Sequence, residues 1–144
     1  MVLIRKSVLV EQPAEEMFRL VDRVEDYPAF LPWCGGTELL ARDETLTRAR
    51  LHIAYHGARA HFATENRKEP PHYMSIRLIE GPFRHMDGSW RFTPLGASAC
   101  KIEFQLHYEF SSKLLEKLLG PVFHRITNTL VDAFVKRAQG LTRS

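Results

Sequence analysis

The sequence predicts an α+β fold in which a curved antiparallel sheet of about seven strands packs against one long C-terminal helix. Segments of alternating polar and apolar residues recur along most of the chain, and residues 100–110 are the clearest example. The connections between these segments are short, which favours antiparallel neighbours. One amphipathic run, residues 112–141, closes the chain, and such a helix needs an apolar surface to cover.

Length and composition indicate one globular domain spanning residues 1–144, with 44% hydrophobic and 26% charged residues. The formal net charge of +3 is too small to indicate a DNA-binding protein. The first residues show no signal-peptide pattern, and no apolar run approaches the roughly 18 residues of a membrane span. Cys34 and Cys100 lie far apart and predict two free thiols, so a cytoplasmic location is expected.

The N-terminal third combines a strand with two short helices. Residues 2–11 are rich in Val, Leu and Ile and predict a strand, whereas residues 13–23 have an apolar helical face. A second short helical turn follows and runs through Phe30, because Pro28 and Pro32 prevent it from growing.

Six further strands are predicted before the closing helix. Turn residues such as glycine and proline separate them, which is typical of short antiparallel connections. They cover residues 35–42, 46–55, 59–67, 74–80, 83–93 and 100–110.

The closing helix is predicted to have an interruption and two faces. Gly120-Pro121 predicts a short first turn, a break that could act as a hinge, and then one long helix from Pro121. Apolar residues form the face toward the sheet, and basic residues lie on or beside the outer face. Val131 and Val135 also fall on the predicted outer face, where a purely solvated surface would not favour them.

Catalytic motifs are missing from the sequence. It contains no glycine-rich phosphate loop, no His-Glu-x-x-His pair and no nucleophile elbow. His52, His56 and His61 lie close enough for a metal site to be considered, but no carboxylate or cysteine stands at ligand spacing. Cys34 could be a thiol nucleophile, although a buried structural thiol is the better interpretation. We therefore predict a protein that is not an enzyme and requires no metal or cofactor.

Apolar residues in loops and at strand junctions supply a different kind of candidate site. The run Phe30-Leu31-Pro32-Trp33 lies in a loop, and Gly81-Pro82-Phe83 lies at a strand junction. Together with the aromatic residues of the strands and the helix, they could line a cavity between sheet and helix. The same residues could equally well pack an ordinary core.

Several motifs closely resemble those of the coenzyme Q-binding protein and ribosome association toxin (RatA) family. VDRVEDYPAFLPWC (residues 21–34) resembles its signature, and the likeness continues in FATEN (62–66), GPF (81–83), GSWRF (88–92), CKIEFQLHYEFSS (100–112) and AFVKRA (133–138). It covers essentially the whole chain in order. The family belongs to the START-like, helix-grip superfamily, which also contains polyketide cyclases.

The resemblance implies a non-catalytic protein that binds ubiquinone or a similar apolar lipid between sheet and helix and supports respiratory electron transfer. Most predicted ligand-binding residues are apolar or aromatic, and Tyr55 or Tyr108 could supply a polar contact. The predicted ligand-binding residues are Phe30, Leu31, Trp33, Tyr55, Phe62, Ile76, Phe83, Trp90, Phe92, Phe104, Tyr108, Ile126, Leu130 and Phe134.

The toxin branch of the family implies an alternative, in which the protein binds the large ribosomal subunit and blocks subunit association. Basic residues of the closing helix would then contact phosphates, or an anionic membrane surface in a peripheral contact. They are Lys113, Lys117, Arg125, Lys136 and Arg137. A solvated helix face would account for the same residues. A cyclase or aromatase is a third alternative, disfavoured because the inward strand positions are almost all apolar.

Overall fold

The computed structural model describes residues 1–143 and confirms the predicted α+β fold. Seven strands, two α-helices and one short 3₁₀ helix follow one another in the predicted order. The elements are β1 (Val2–Val10), α1 (Ala14–Asp22), the 3₁₀ helix (Val24–Ala29), β2 (Cys34–Arg42), β3 (Leu46–Tyr55), β4 (Ala58–Glu69), β5 (Tyr73–Glu80), β6 (Phe83–Pro94), β7 (Cys100–Phe110) and α2 (Lys113–Arg143).

The strands form one antiparallel sheet in the order β1-β7-β6-β5-β4-β3-β2. Each strand from β2 to β7 pairs with its neighbour in sequence, and β1 closes the order by pairing with β7. Register shifts place unpaired residues in β2, β5 and β6. Such bulges increase local twist and bending, which suits a sheet that must curve around a helix.

The predicted break at Gly120-Pro121 is wrong, because α2 runs without interruption from Lys113 to Arg143. Pro121 lies inside this helix and cannot donate to the carbonyl of Lys117. An internal proline costs about 3 kcal/mol. Residues Phe123, Ile126 and Phe134 are buried further along the same helix, and we attribute its continuity to this packing.

The helix α2 is covered over a wider arc than the sequence indicates. Val131, predicted on the outer face, is buried, and Val135 is partly buried against the core. The helix α1 packs alongside α2, and α2 also contacts β1, β4 and β7. Within the described residues, no helix is long and apolar enough to cross a membrane.

An ionic cluster fixes α1 and the 3₁₀ helix to the far edge of the sheet. The carboxylate of Asp22 accepts hydrogen bonds from Thr47 Oγ1 at 2.7 Å and from Lys68 Nζ at 3.0 Å. Arg42 of β2 contacts Glu25 of the 3₁₀ helix at 2.8 Å. The segment that follows, residues 30–33, is joined to β3 by a hydrogen bond from the backbone N–H of Ala54 to the carbonyl of Trp33 at 2.9 Å.

Gly88 marks a close approach of two strands. It pairs with Leu106 of β7, and a Cβ placed on it would lie 2.2 Å from the carbonyl oxygen of Gln105. Because the obstacle is backbone, we expect Gly88→Ala to lower the free energy of unfolding by about 1–3 kcal/mol, measured by urea denaturation. Gly36→Ala is the matched control, since nothing lies within 4 Å of its Cβ position. Equal losses in both variants would contradict this account.

Candidate functional site: a cavity and a groove beside the C-terminal helix

A small cavity lies between the sheet and α2. Its volume is about 80 Å³, well below the roughly 300 Å³ at which ligand pockets begin. Most of its wall is apolar. The lining residues are Val24, Tyr27, Trp33, Ala49, Leu51, Phe62, Thr64, Asn66, Ile76, Met86, Trp90, Phe104, Leu106, Phe123, Ile126, Thr127, Leu130 and Phe134. In this closed form the cavity admits nothing as large as a quinone ring with its isoprenoid tail.

Three polar side chains interrupt the apolar wall of the cavity. Thr64 and Thr127 are buried, and the Thr127 hydroxyl donates to the carbonyl of His124 at 3.1 Å. Asn66 Nδ2 donates weakly to Met74 Sδ at 3.5 Å, whereas its buried Oδ1 has no hydrogen-bond partner among the described residues. A buried acceptor without a partner is costly, so this oxygen is suited to a donor carried by water or a ligand.

A larger groove opens beside the cavity, between the loop after the 3₁₀ helix, the end of β3 and the C-terminal half of α2. It encloses about 710 Å³, within the range of small-molecule sites. Trp33 and Ile126 line both spaces, so the groove lies directly outside the cavity. Its wall consists of Phe30, Leu31, Pro32, Trp33, Tyr55, Arg125, Ile126, Thr129, Asp132, Ala133, Lys136, Arg137, Gly140 and Leu141.

Aromatic contacts build the boundary between groove and cavity. Phe134 of α2 meets the rings of Tyr27 and Phe30 with centroids 5.4 Å apart in each case, and that of Trp90 at 5.6 Å. The hydroxyl of Tyr27 donates to the carbonyl of Val21, and burial raises the pKa of this phenol. Tyr27 is therefore a neutral structural residue that anchors the 3₁₀ helix.

The structure distributes the predicted ligand-binding residues among three places. Eight line the cavity: Trp33, Phe62, Ile76, Trp90, Phe104, Ile126, Leu130 and Phe134. Phe30, Leu31 and Tyr55 line the groove, together with Trp33 and Ile126.

Phe83, Phe92 and Tyr108 line neither space and pack in the core. Phe83 stacks on Phe110 with ring centroids 4.9 Å apart, and Tyr108 lies with its ring 4.7 Å from that of Phe123. Phe92 is fully buried beside Trp90. Alternation places Phe92 and Tyr108 on the inner face of the sheet, and the register shift between Phe83 and His85 brings Phe83 to the same face. Alternation does not distinguish a cavity wall from filled core.

The predicted basic residues also lie in more than one place. Lys113 and Lys117 are exposed near the start of α2, whereas Arg125, Lys136 and Arg137 line the groove. Arg137 is only half-exposed, with its guanidinium carbon 5.1 Å from the centroid of the Phe30 ring. It does not lie on a freely solvated face, because α1 and the segment after the 3₁₀ helix pack beside it.

Charge is strongly segregated between α2 and the rest of the chain. Residues 113–143 contain six basic and two acidic residues, a net charge of +4, which leaves the remainder at −1. Within the part of the chain that the structure describes, every ion pair lies outside α2. Among the described side chains, Lys113, Lys117, Arg125, Lys136 and Arg137 therefore form no ion pair with a carboxylate within 4.0 Å.

The candidate reactive groups lie in settings that do not favour chemistry. Cys34 is buried, its thiol contacts the carbonyl of Gly36 at 3.5 Å, and burial raises its pKa, the opposite of what a nucleophile needs. His52 contacts Glu38 at 3.3 Å and lies with its ring 5.8 Å from that of His61. Among the described residues, no group of histidine, cysteine and carboxylate side chains could hold a metal ion.

Sequence reasoning missed most polar members of both spaces. Thr64, Asn66 and Thr127 line the cavity, and Thr129 and Asp132 line the groove. The alternation of β4 carried a signal for two of them, because residues 62, 64 and 66 share a face with the predicted lining residue Phe62. They are absent from the predicted set because that set was chosen for apolar and aromatic side chains.

The chain belongs to the family described as polyketide cyclase/dehydrase and lipid transport, whose model matches residues 10–135. Over 136 residues it is 40% identical to the ribosome association toxin RatA of Vibrio cholerae, covering 94% of each chain. It is 30% identical over 129 residues to the mitochondrial coenzyme Q-binding protein COQ10 homolog B of Xenopus laevis, covering 86% of this chain and 52% of that protein.

Among solved structures, the Zhui aromatase/cyclase from Streptomyces sp. R1128 has a TM-score of 0.83 at 19% identity and covers 96% of this chain and 93% of its own. An identity this low supports a similarity of fold and nothing further. These similarities confirm both the predicted family resemblance and the helix-grip fold.

Proposed function

We propose that the protein is a cytoplasmic, non-catalytic translation inhibitor that binds the large ribosomal subunit through the basic side of α2. The observation that carries the proposal is the charge segregation: α2 holds a net charge of +4, and the remaining chain holds −1. Ribosomal RNA presents a dense array of phosphates, and cations without intramolecular partners are free to contact them. The 40% identity to the RatA toxin supports this choice over the neutral-ligand function.

The arrangement of the cations also supports a polyanionic partner. Lys117 and Lys136 are both exposed, and 19 residues of helix place them about 28 Å apart along its axis. A small anion could contact only one of these residues at a time. A continuous phosphate backbone could contact both, which favours a macromolecular partner.

Sedimentation tests the ribosome proposal directly. Purified protein is mixed with large and small ribosomal subunits at low salt and centrifuged through a sucrose gradient. We expect it to sediment with the large subunit and to be released as the salt concentration rises. Absence from the large-subunit fractions at low salt would contradict the proposal, and equal binding to anionic vesicles would indicate a general anionic-surface contact.

We propose as a second function that the cavity and groove together bind ubiquinone or a similar apolar lipid. The supporting observation is the continuity of the two spaces at Trp33 and Ile126, which both line the cavity and the groove. Burying a long apolar chain contributes roughly 25 cal/mol per Å². Because the cavity encloses only about 80 Å³, binding requires residues 30–33 to move away from α2.

A thermal-shift assay tests this second proposed function. We expect a short-chain ubiquinone analogue at a hundredfold excess over its Kd to raise the Tm by several degrees. Leu130→Asp places a carboxylate in the cavity wall and should abolish the shift, whereas Leu118→Asp on the exposed side of the same helix should retain it. An unchanged Tm for the unmodified protein, with no lipid in an organic extract, would contradict the proposal.

A further inference from the structure

Arg137 is a partly buried arginine with one buried donor atom that the described residues leave without a partner. Its Nε is inaccessible to solvent and has no hydrogen-bond partner among the described residues, and its guanidinium lies over the ring of Phe30. A guanidinium so placed is partly desolvated and oriented by the ring. A buried donor of this kind favours a ligand that brings an anionic acceptor.

The charges around Arg137 leave the groove positive. Arg125 and Lys136 line the same groove and outnumber Asp132, which gives a net charge of +2. On its other side, Arg137 borders a hollow that contains Glu15, Glu16 and Asp26. Asp26 pairs instead with Arg23 at 3.0 Å, and no carboxylate of the described residues forms an ion pair with Arg137 within 4.0 Å.

The opposite side of the groove is apolar and leads inward. Phe30, Leu31 and Trp33 form this wall, and Trp33 and Ile126 line both the groove and the cavity. Eleven residues of helix separate Ile126 from Arg137, which is about 16 Å along the axis. The groove therefore has Lys136 and Arg137 at one end and an apolar wall of the length of a medium acyl chain, with the exposed Arg125 next to Ile126 at the other end.

We propose that this groove binds a single-chain fatty acid, with its carboxylate at Arg137 and its chain along Phe30 and Trp33 toward Ile126. One half-buried guanidinium matches one carboxylate, because its planar fork can donate two parallel hydrogen bonds. Lys136 adds attraction from an exposed position beside Arg137, whereas Arg125 lies about 18 Å away along the helix axis. The proposal rests on the second function only in taking the groove as a ligand site. It adds a carboxylate head group as the partner of Arg137, which a neutral quinone would leave without an anion.

Tryptophan fluorescence titrations with dodecanoate and with dodecan-1-ol, both below micelle formation, test the proposal. The two probes share one chain and differ in charge. We expect dodecanoate to bind at least about tenfold more tightly than the alcohol, the equivalent of one charge-assisted hydrogen bond. Arg137→Gln should remove this preference, whereas Arg59→Gln, an exposed arginine outside the groove, should leave it unchanged.

Two further variants make the result independent of folding defects. Arg137→Lys retains the charge but loses Nε, and the preference for the acid should fall several-fold. Trp33→Phe should lose most of the fluorescence change, because Trp90 does not line the groove. Equal binding of acid and alcohol, or an unchanged preference in a folded Arg137 variant, would overturn the proposal and leave the apolar-ligand function standing. Failure of both probes to bind would overturn both.

Discussion

Replacing Phe134 with alanine is expected to lower the free energy of unfolding by about 3–5 kcal/mol. Phe134 is 1% exposed, and its ring contacts those of Tyr27, Phe30 and Trp90. These partners belong to the 3₁₀ helix, the loop after it and β6. The Phe134 side chain therefore connects α2 to all three of these segments. Removal of the Phe134 ring would leave a void next to the existing cavity. The rings of Tyr27, Phe30 and Trp90 could fill this void only if all three shifted.

Urea denaturation followed by circular dichroism measures this loss. Leu114→Ala is the matched control, because it removes a large apolar side chain from the same helix at a position that is 65% exposed. We expect the control to change the free energy of unfolding by no more than about 0.5 kcal/mol. A loss below about 1 kcal/mol in Phe134→Ala would show that α2 is not anchored at this contact.

The double variant Lys117→Glu with Lys136→Glu is expected to weaken ribosome binding by roughly a hundredfold at moderate salt while leaving the fold intact. Each lysine that contacts a phosphate contributes about one unit to the slope of log K against log salt concentration. The slope should therefore decrease in magnitude by about two units, and the introduced carboxylates add repulsion. Both side chains are exposed and neither takes part in a described ion pair, so folding should not depend on them.

The control for this experiment is Arg5→Glu with Lys101→Glu, which changes the net charge equally on the outer face of β1 and β7. We expect it to bind large subunits nearly as well as the unmodified protein. If both double variants lose binding to the same extent, net charge rather than the α2 surface determines association. Unfolding of the α2 variant would instead show that the solvated side of the helix contributes to stability.

The sheet could be predicted closely because its signal is local. The strand Cys100–Phe110 was predicted with its bounds, since every second residue is apolar and packs on the inner face. The strand Leu46–Tyr55 was predicted equally well, because turn residues bracket a clear alternation. Short connections predict that consecutive strands from β2 to β7 are neighbours, but they do not predict the pairing of β1 with β7.

The continuity of α2 and the lining of the candidate site depend on tertiary contacts that cannot be predicted from the sequence pattern. Pro121 predicted a break, but packing of α2 along the sheet outweighs the lost hydrogen bond. Val131 looked solvent-facing because α1 was not expected to cover that side. The division between filled core at Phe83 and cavity wall at Phe62 depends on side-chain packing across several elements, which residue periodicity does not describe.

The concentration of positive charge on α2 gives the molecule a permanent electric dipole moment, with α2 at its positive end. In the field of a polyanion such a molecule rotates before contact, so that α2 faces the partner. Productive encounters then become more frequent than random collision allows. Added salt would act mainly on the association rate constant, because screening removes the orienting torque before it disturbs the contacts of the formed complex.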